Sequence, residues 1–346
     1  MDAPLRISIL GGGSFGTAIA KVLADNDQRV SLWMRDAEQA ERIRSERENS
    51  RYFPGVKLGE TIDPTTDIAS AIRDADLIFV ALPSMVFRTV IRDAASHFSE
   101  SQMVVSTTKG IERTGFRLMS EVLHEEVPQV HAGVLSGPNL AGELIRRELT
   151  ASVVASQDPR LREKVQEVLG NDYFRVYANL DVYGVELGGA LKNVYAIVSG
   201  LAAARDMGEN TKSMLITRSL AEMSRFAVSL GANPMTFLGL SGVGDLIVTC
   251  TSSMSRNYRV GYRVGRGASL DEAVAEIGQV AEGIRTLELV HEKARESGVY
   301  MPLVRGLYEV LYNNVSIDDI VGAFMKAAQS SDVEFILPRQ GEGVAI

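Results

Sequence analysis

The chain is poor in cysteine and histidine, and these shortages dispose of several kinds of protein. Cys250 is the single cysteine in 346 residues, so no intrachain disulfide can form and no thiolate metal cluster is available. His97, His124, His131 and His291 are scattered, without the H-x-x-H or H-E-x-x-H spacing of a metal site. Long apolar runs are missing too: stretches such as Leu77–Leu82 are much too short to cross a bilayer. There is no excess of positive charge. The 36 basic residues stand against 44 acidic ones, a net charge of −8, which argues against nucleic acid and against membrane insertion. Any anionic ligand must then be held by a local cluster of cations. Met1–Arg6 shows neither the basic start nor the cleavage pattern of an export signal, so a cytoplasmic enzyme is expected.

What is present is a globular composition, with 45% hydrophobic and 23% charged residues, on a chain long enough for two domains. The first half alternates short apolar runs with helical patterns. Arg6–Leu10, Arg29–Trp33, Leu77–Ala81, Met103–Ser106, Val130–Leu135, Ser152–Ala155 and Phe174–Tyr177 read as strands, with helices at Thr17–Ala24, Ala37–Arg47, Met85–Phe98 and Pro159–Leu169. Unbroken apolar strands separated by helices imply a mostly parallel sheet covered on both faces. After about Val182 the strand signals stop. Helical stretches follow at Val185–Ala203, Thr211–Leu230, Leu270–Ile277, Arg285–Ser297 and Val304–Leu311. The expected division is an α/β domain over residues 1–182, an all-α domain over 183–331 and a flexible tail over 332–346.

Directly after the first strand comes Gly11-Gly12-Gly13-Ser14-Phe15-Gly16, with a helix opening behind it. In this strand–turn–helix setting G-x-G-x-x-G is the fingerprint of a Rossmann dinucleotide site. Gly11 permits the turn, Gly13 lets the backbone approach a pyrophosphate, and Gly16 lets helix and strand pack closely. The second strand ends at Arg35-Asp36. Asp36 there would grip the ribose hydroxyls of NAD, whereas Arg35 would accept the 2′-phosphate of NADP. An exposed pair at a helix entry is the plain alternative. NADP(H) is favoured, with NAD(H) also accepted. Lys109 lies in Thr107-Thr108-Lys109-Gly110, just past another strand; on position alone it is either a ligand-facing cation or a solvated loop residue.

Further motifs are Ser136-Gly137-Pro138-Asn139-Leu140-Ala141, Gly188-Gly189-Ala190-Leu191-Lys192-Asn193-Val194, Gly242-Val243-Gly244-Asp245-Leu246-Ile247-Val248-Thr249-Cys250 and Ser255-Arg256-Asn257. With the glycine loop and T-K-G, their order and spacing resemble the bacterial NAD(P)-dependent sn-glycerol-3-phosphate dehydrogenases, over about Ile7 to Leu311. The resemblance implies a Rossmann-type domain followed by a helical domain of the 6-phosphogluconate-dehydrogenase kind, and a homodimer formed through the helical domain. It implies that Ser14, Phe15, Arg35, Lys109, Ala141, Arg256, Val280 and Glu282 contact the cofactor. Lys109, Gly137, Asn139, Asp245, Ser255, Arg256 and Asn257 would line the substrate site, and Lys192 matches the proton-transfer lysine. One departure is Asn139, where the best-known members carry Thr or Ser; another is Gly142 in place of a bulkier residue.

The residues also support this chemistry by themselves. Hydride transfer to a ketone leaves negative charge on oxygen, so a proton donor must stand close by. Lys192 lies in an apolar, small-residue stretch, where burial would shift an ammonium pKa readily; a snorkelling edge residue is the plain alternative. Asn193 could orient substrate hydroxyls, and Asp245 could pair with Lys192 or bind a hydroxyl. Asp245 and Thr249 share a face if their segment is helical. The roughly helical spacing of Arg256, Arg259, Arg263 and Arg266 lets only one or two face a pocket, and the resemblance in S-R-N implies Arg256 inward and the rest in solvent; Cys250 is expected as packing, and Glu186 and Glu222 as members of structural pairs. The implied pocket of Lys109, Lys192 and Arg256 suits a phosphorylated substrate, and the resemblance implies that this substrate is dihydroxyacetone phosphate. Two rivals stand beside it: a related dehydrogenase acting on another ketone or hydroxyacid, and a non-catalytic NADPH sensor.

Overall fold

A computed structural model describes residues 5–278 and 281–326. The strands are β1 (Ile7–Leu10), β2 (Val30–Trp33), β3 (Ile62–Thr65), β4 (Leu77–Val80), β5 (Met103–Ser106), β6 (Ile111–Glu112), β7 (Arg117–Leu118), β8 (His131–Ser136), β9 (Thr150–Ala155) and β10 (Phe174–Asn179). Eight of them form one sheet in the order β10-β9-β8-β5-β4-β1-β2-β3, and β6 and β7 make a separate hairpin. Neighbours run parallel except β8 and β9, where Leu135 faces Val154 in antiparallel register. The sheet is thus mostly parallel, as its apolar strands lead one to expect; β1, β4 and β5 are buried along their whole length.

The chain runs from β1 outward through β2 to β3, then returns to β4 on the other side of β1. This reversal leaves a crevice at the carboxyl ends of β1 and β4, the usual ligand position in such sheets. The sequence reading missed β3 and the β6–β7 hairpin. Ile111 and Leu118 of that hairpin belong to the hydrophobic core of the helical half, not to the sheet.

All regular structure from Val182 to Lys326 is helical among the described residues. At its centre lies the helix Val182–Ala204, apolar and long enough to cross a membrane but 89% buried within the protein over its most apolar window. Its sides are made of small residues so that neighbours can approach. A Cβ on Gly200 would stand 2.0 Å from the Tyr258 carbonyl oxygen, and one on Gly261 would stand 2.0 Å from that of Ile197. These two glycines let the helix Arg256–Gly265 cross the central helix at backbone contact, which carries Asn257 to Asn193. The tail expected over 332–346 lies outside the described residues.

Candidate active site

The crevice opens into a cleft of about 1080 Å³ lined from both halves of the chain, large enough for a dinucleotide and a small substrate. At one end the glycine loop turns into the helix Ser14–Asp25, whose N-cap Gly13 offers no side-chain partner to the first-turn amides. Those N–H groups are available to an anion. The three glycines of the fingerprint differ in what demands them. A Cβ on Gly11 would meet the Ala81 carbonyl oxygen at 2.4 Å and one on Gly16 would meet that of Gly11 at 1.9 Å, but one on Gly13 meets nothing within 4 Å. The chain's own packing requires the first and third. Gly13 leaves room for something outside the chain, which fits a pyrophosphate.

Deeper in the cleft three charged groups form a triad. Lys192 Nζ pairs with Asp245 Oδ1 and donates to Thr249 Oγ1 at 2.7 Å. Lys109 Nζ donates to Asp245 Oδ2 at 2.9 Å, to the Gly137 carbonyl at 2.9 Å and to Asn139 Oδ1 at 2.8 Å. Asp245 is fully buried and stands between the two ammonium groups, one oxygen to each. It opens the helix Asp245–Thr251 immediately after a π-helical turn, Leu240–Gly244, and the helix brings Thr249 onto its face as the spacing implies. Burial pushes the Lys192 pKa down to about 7; Asp245 opposes that shift and Lys109 adds to it. An ammonium poised near neutrality can hold a proton and release it.

The helix Arg256–Gly265 supplies the third wall. Burial lowers the Arg256 pKa from its usual value, and its Nη2 donates to Ser14 Oγ at 3.3 Å, bridging this wall and the glycine loop. Asn257 Oδ1 accepts the Gly283 N–H at 3.0 Å while its Nδ2 donates to Asn193 Oδ1 at 2.9 Å. Asn193 Nδ2 in turn donates to the Lys109 carbonyl at 3.2 Å. Glu282 accepts from Ser84 N at 3.0 Å and Ser84 Oγ at 2.6 Å, joining the two halves across the cleft.

Residues 6–162 match the N-terminal family of NAD-dependent glycerol-3-phosphate dehydrogenases and residues 181–322 match the corresponding C-terminal family. A glycerol-3-phosphate dehydrogenase (NAD(P)+) of Pseudomonas syringae pv. tomato is 58% identical over 336 residues, 97% of this chain and 98% of that one. The chain belongs to the NAD-dependent glycerol-3-phosphate dehydrogenase family. The counterpart from Pseudomonas aeruginosa is 58% identical over 330 residues, 95% of this chain and 97% of its own length. A crystal structure of glycerol-3-phosphate dehydrogenase from Coxiella burnetii superposes with a TM-score of 0.89 at 35% identity, covering 94% of this chain and 99% of that one. The protein is an NAD(P)-dependent oxidoreductase.

Within this dehydrogenase the cleft is lined by Gly13, Ser14, Phe15, Lys109, Asn139, Ala141, Lys192, Asn193, Thr249, Ser255, Arg256, Asn257 and Glu282. Gly11 and Gly16 lie beneath the loop, and Gly137 and Asp245 stand behind Lys109. Arg35 is exposed just past β2, outside the lining, and Asp36 caps the next helix through the Gln39 N–H at 3.1 Å. Val280 lies outside the described residues. Arg259, expected in solvent with Arg263 and Arg266, is exposed but sits on the cleft wall. Arg263 pairs with Glu276. The sequence reading also missed Arg51, Tyr52 and Phe53, which line the cleft; they follow a charged helix with no motif to mark them.

Proposed function

We propose that this enzyme reduces dihydroxyacetone phosphate to sn-glycerol 3-phosphate, reversibly, with Lys192 giving the proton to the carbonyl oxygen. The reading rests above all on the buried Lys192–Asp245–Lys109 triad inside a cation-lined cleft of a protein whose net charge is negative. When bound, the reduced nicotinamide supplies hydride to the carbonyl carbon. Asp245 and Thr249 orient the Lys192 ammonium, and Asp245 balances the charge of both lysines. Lys109, Ser255 and Arg256 are the groups suited to the substrate phosphate and its neighbouring hydroxyl. Asn193 and Asn257 line the cleft and bond to each other, to the Lys109 carbonyl and to the Gly283 N–H, so they hold the wall against which the substrate would sit. Asn139 takes the place of a hydroxyl residue and still reaches Lys109.

Arg35, exposed at the end of β2, favours NADP(H), with NAD(H) accepted. Asp36 caps the next helix through Oδ1 and lies 3.9 Å from Arg51, which leaves it acceptor capacity for a ribose hydroxyl and is in keeping with NAD(H) also being accepted. Gly11, Gly13, Ser14, Phe15, Gly16, Ala141, Val280 and Glu282 complete the proposed cofactor contacts. We place the domain division at 182/183, the point where the central helix begins, and assign the enzyme to the cytoplasm, supplying glycerophospholipid synthesis as a homodimer joined through its helical half. The test follows NADPH absorbance with dihydroxyacetone phosphate, unphosphorylated dihydroxyacetone and ketopantoate in parallel. Oxidation with the phosphorylated ketone alone is expected; oxidation only with another ketone would replace the substrate, and silence with all three while NADPH binds would favour the sensor.

A further inference from the structure

Three consecutive glycines, Gly11-Gly12-Gly13, make the most permissive backbone in the chain. Left alone, such a peptide rotates freely, yet a phosphate site needs its N–H groups aimed in one direction. Beneath the loop lie two side chains that settle the direction. Gln39 Nε2 donates to the Gly12 carbonyl oxygen at 2.7 Å and Asn49 Nδ2 donates to the same oxygen at 3.1 Å. Gln39 is 6% exposed and Asn49 1% exposed, and neither lines the cleft. They also hold each other and the helix. Gln39 Nε2 reaches Asn49 Oδ1 at 3.2 Å, and Asn49 Nδ2 reaches Thr17 Oγ1 at 2.8 Å.

The peptide between Gly12 and Gly13 is trans, so its C=O and N–H point in opposite directions. Two donors pulling the Gly12 oxygen inward therefore turn the Gly13 N–H outward, toward the cleft that Gly13 lines. Asn49 does more with its main chain. Its carbonyl accepts from Tyr52 N at 3.0 Å and Phe53 N at 2.9 Å, closing the turn that brings Arg51, Tyr52 and Phe53 to the cleft. We propose that Gln39 and Asn49 are positioning residues of the cofactor site, fixing the Gly12–Gly13 peptide so that the Gly13 N–H meets the pyrophosphate, with Asn49 tying that end of the site to the Arg51–Phe53 loop. This rests on the reading that the glycine loop receives the pyrophosphate.

Steady-state kinetics on the full-length enzyme test it with Gln39→Leu, Asn49→Asp and Gly13→Ala. Gln39→Leu removes one donor without touching the Arg51–Phe53 turn, and Asn49→Asp faces the carbonyl with an acceptor. Each is expected to raise KM for NADPH about tenfold, with kcat at saturating cofactor and KM for the ketone within about twofold of the parent. A residue that served stability alone would lower Tm and leave KM for NADPH in place; that result in Gln39→Leu overturns the proposal, whether or not Asn49→Asp folds. Gly13→Ala separates the two readings, because its Cβ meets no atom of the chain within 4 Å. If Gly13→Ala weakens NADPH and Gln39→Leu does not, only the positioning role fails. If Gly13→Ala binds NADPH as the parent does, the pyrophosphate reading fails and the proposal with it.

Discussion

On the proposed mechanism Lys192 carries the transferred proton, so its protonation would set the direction in which the enzyme works best. With the ammonium pKa lowered to about 7 by burial, the group is charged below that pH and neutral above it. Reduction consumes a proton from the ammonium, so kcat for the ketone should fall as pH rises through about 7, while kcat for the alcohol should rise over the same interval. Lys192→Ala is expected to lose about 10²–10⁴ in kcat and its pH dependence together, with NADPH affinity retained; a parent and a variant sharing one pH profile would remove Lys192 from the proton transfer. Lys192 was legible in the sequence because a lone cation in G-G-A-L-K-N-V is costly unless partnered. Gln39 and Asn49 were not legible. They sit in a charged stretch that reads as solvated surface, and their partner at Gly12 is 27 and 37 positions away.

The elements divide in the same way. Helix and strand periodicity gave the sheet and the helical half, because strands buried on both faces read as apolar runs and helices as repeating stripes. β3 escaped because Ile62-Asp63-Pro64-Thr65 carries a proline and an acid. Its place at the sheet edge accounts for both, since an edge strand has one side without ladder partners where a proline is tolerated. The hairpin escaped for its brevity. The close crossing of the helices Val182–Ala204 and Arg256–Gly265 was invisible as well, although its glycines stand plainly in the sequence. Gly261→Val would drive a side chain against the Ile197 carbonyl. It should cost about 1–3 kcal/mol in chemical denaturation and raise KM for the ketone as Arg256 moves. A variant with unaltered midpoint and KM would show that the crossing does not need backbone contact.

At the scale of the whole molecule, two buried carboxylates hold the halves and the helices together. Glu186 on the central helix accepts from Ser120 Oγ at 2.5 Å and Ser120 N at 3.1 Å, at the start of the helix Met119–Glu126. Glu222 accepts from Leu303 N at 2.6 Å and Val304 N at 3.3 Å, at the start of the helix Pro302–Tyr312. The sequence marked both as structural without naming the helix termini that satisfy them. Burial raises each pKa from 4.5 to about 7 despite those donors. The folded state therefore holds more protons than the unfolded state between those values. Their contribution to stability is complete below about pH 4.5 and is lost as pH rises through about 7. Thermal unfolding of the parent should show this decline, and Glu222→Gln should flatten it; an equally steep slope in the variant would place the titration elsewhere.

The triad at the base of the cleft draws its members from both halves, Lys109 from the loop after β5 and Lys192 with Asp245 from the helices. Apart, the sheet half would carry Lys109 without Asp245, and the helical half the Lys192–Asp245 pair without the second ammonium. Docking joins Lys109 to that pair, so one carboxylate serves two ammonium groups, and Lys109 adds to the lowering of the Lys192 pKa that burial begins. On the proposed role of Lys192, catalytic competence is a property of assembly: turnover would report that the two halves are seated, and a loosening too slight to unfold either would silence the enzyme first.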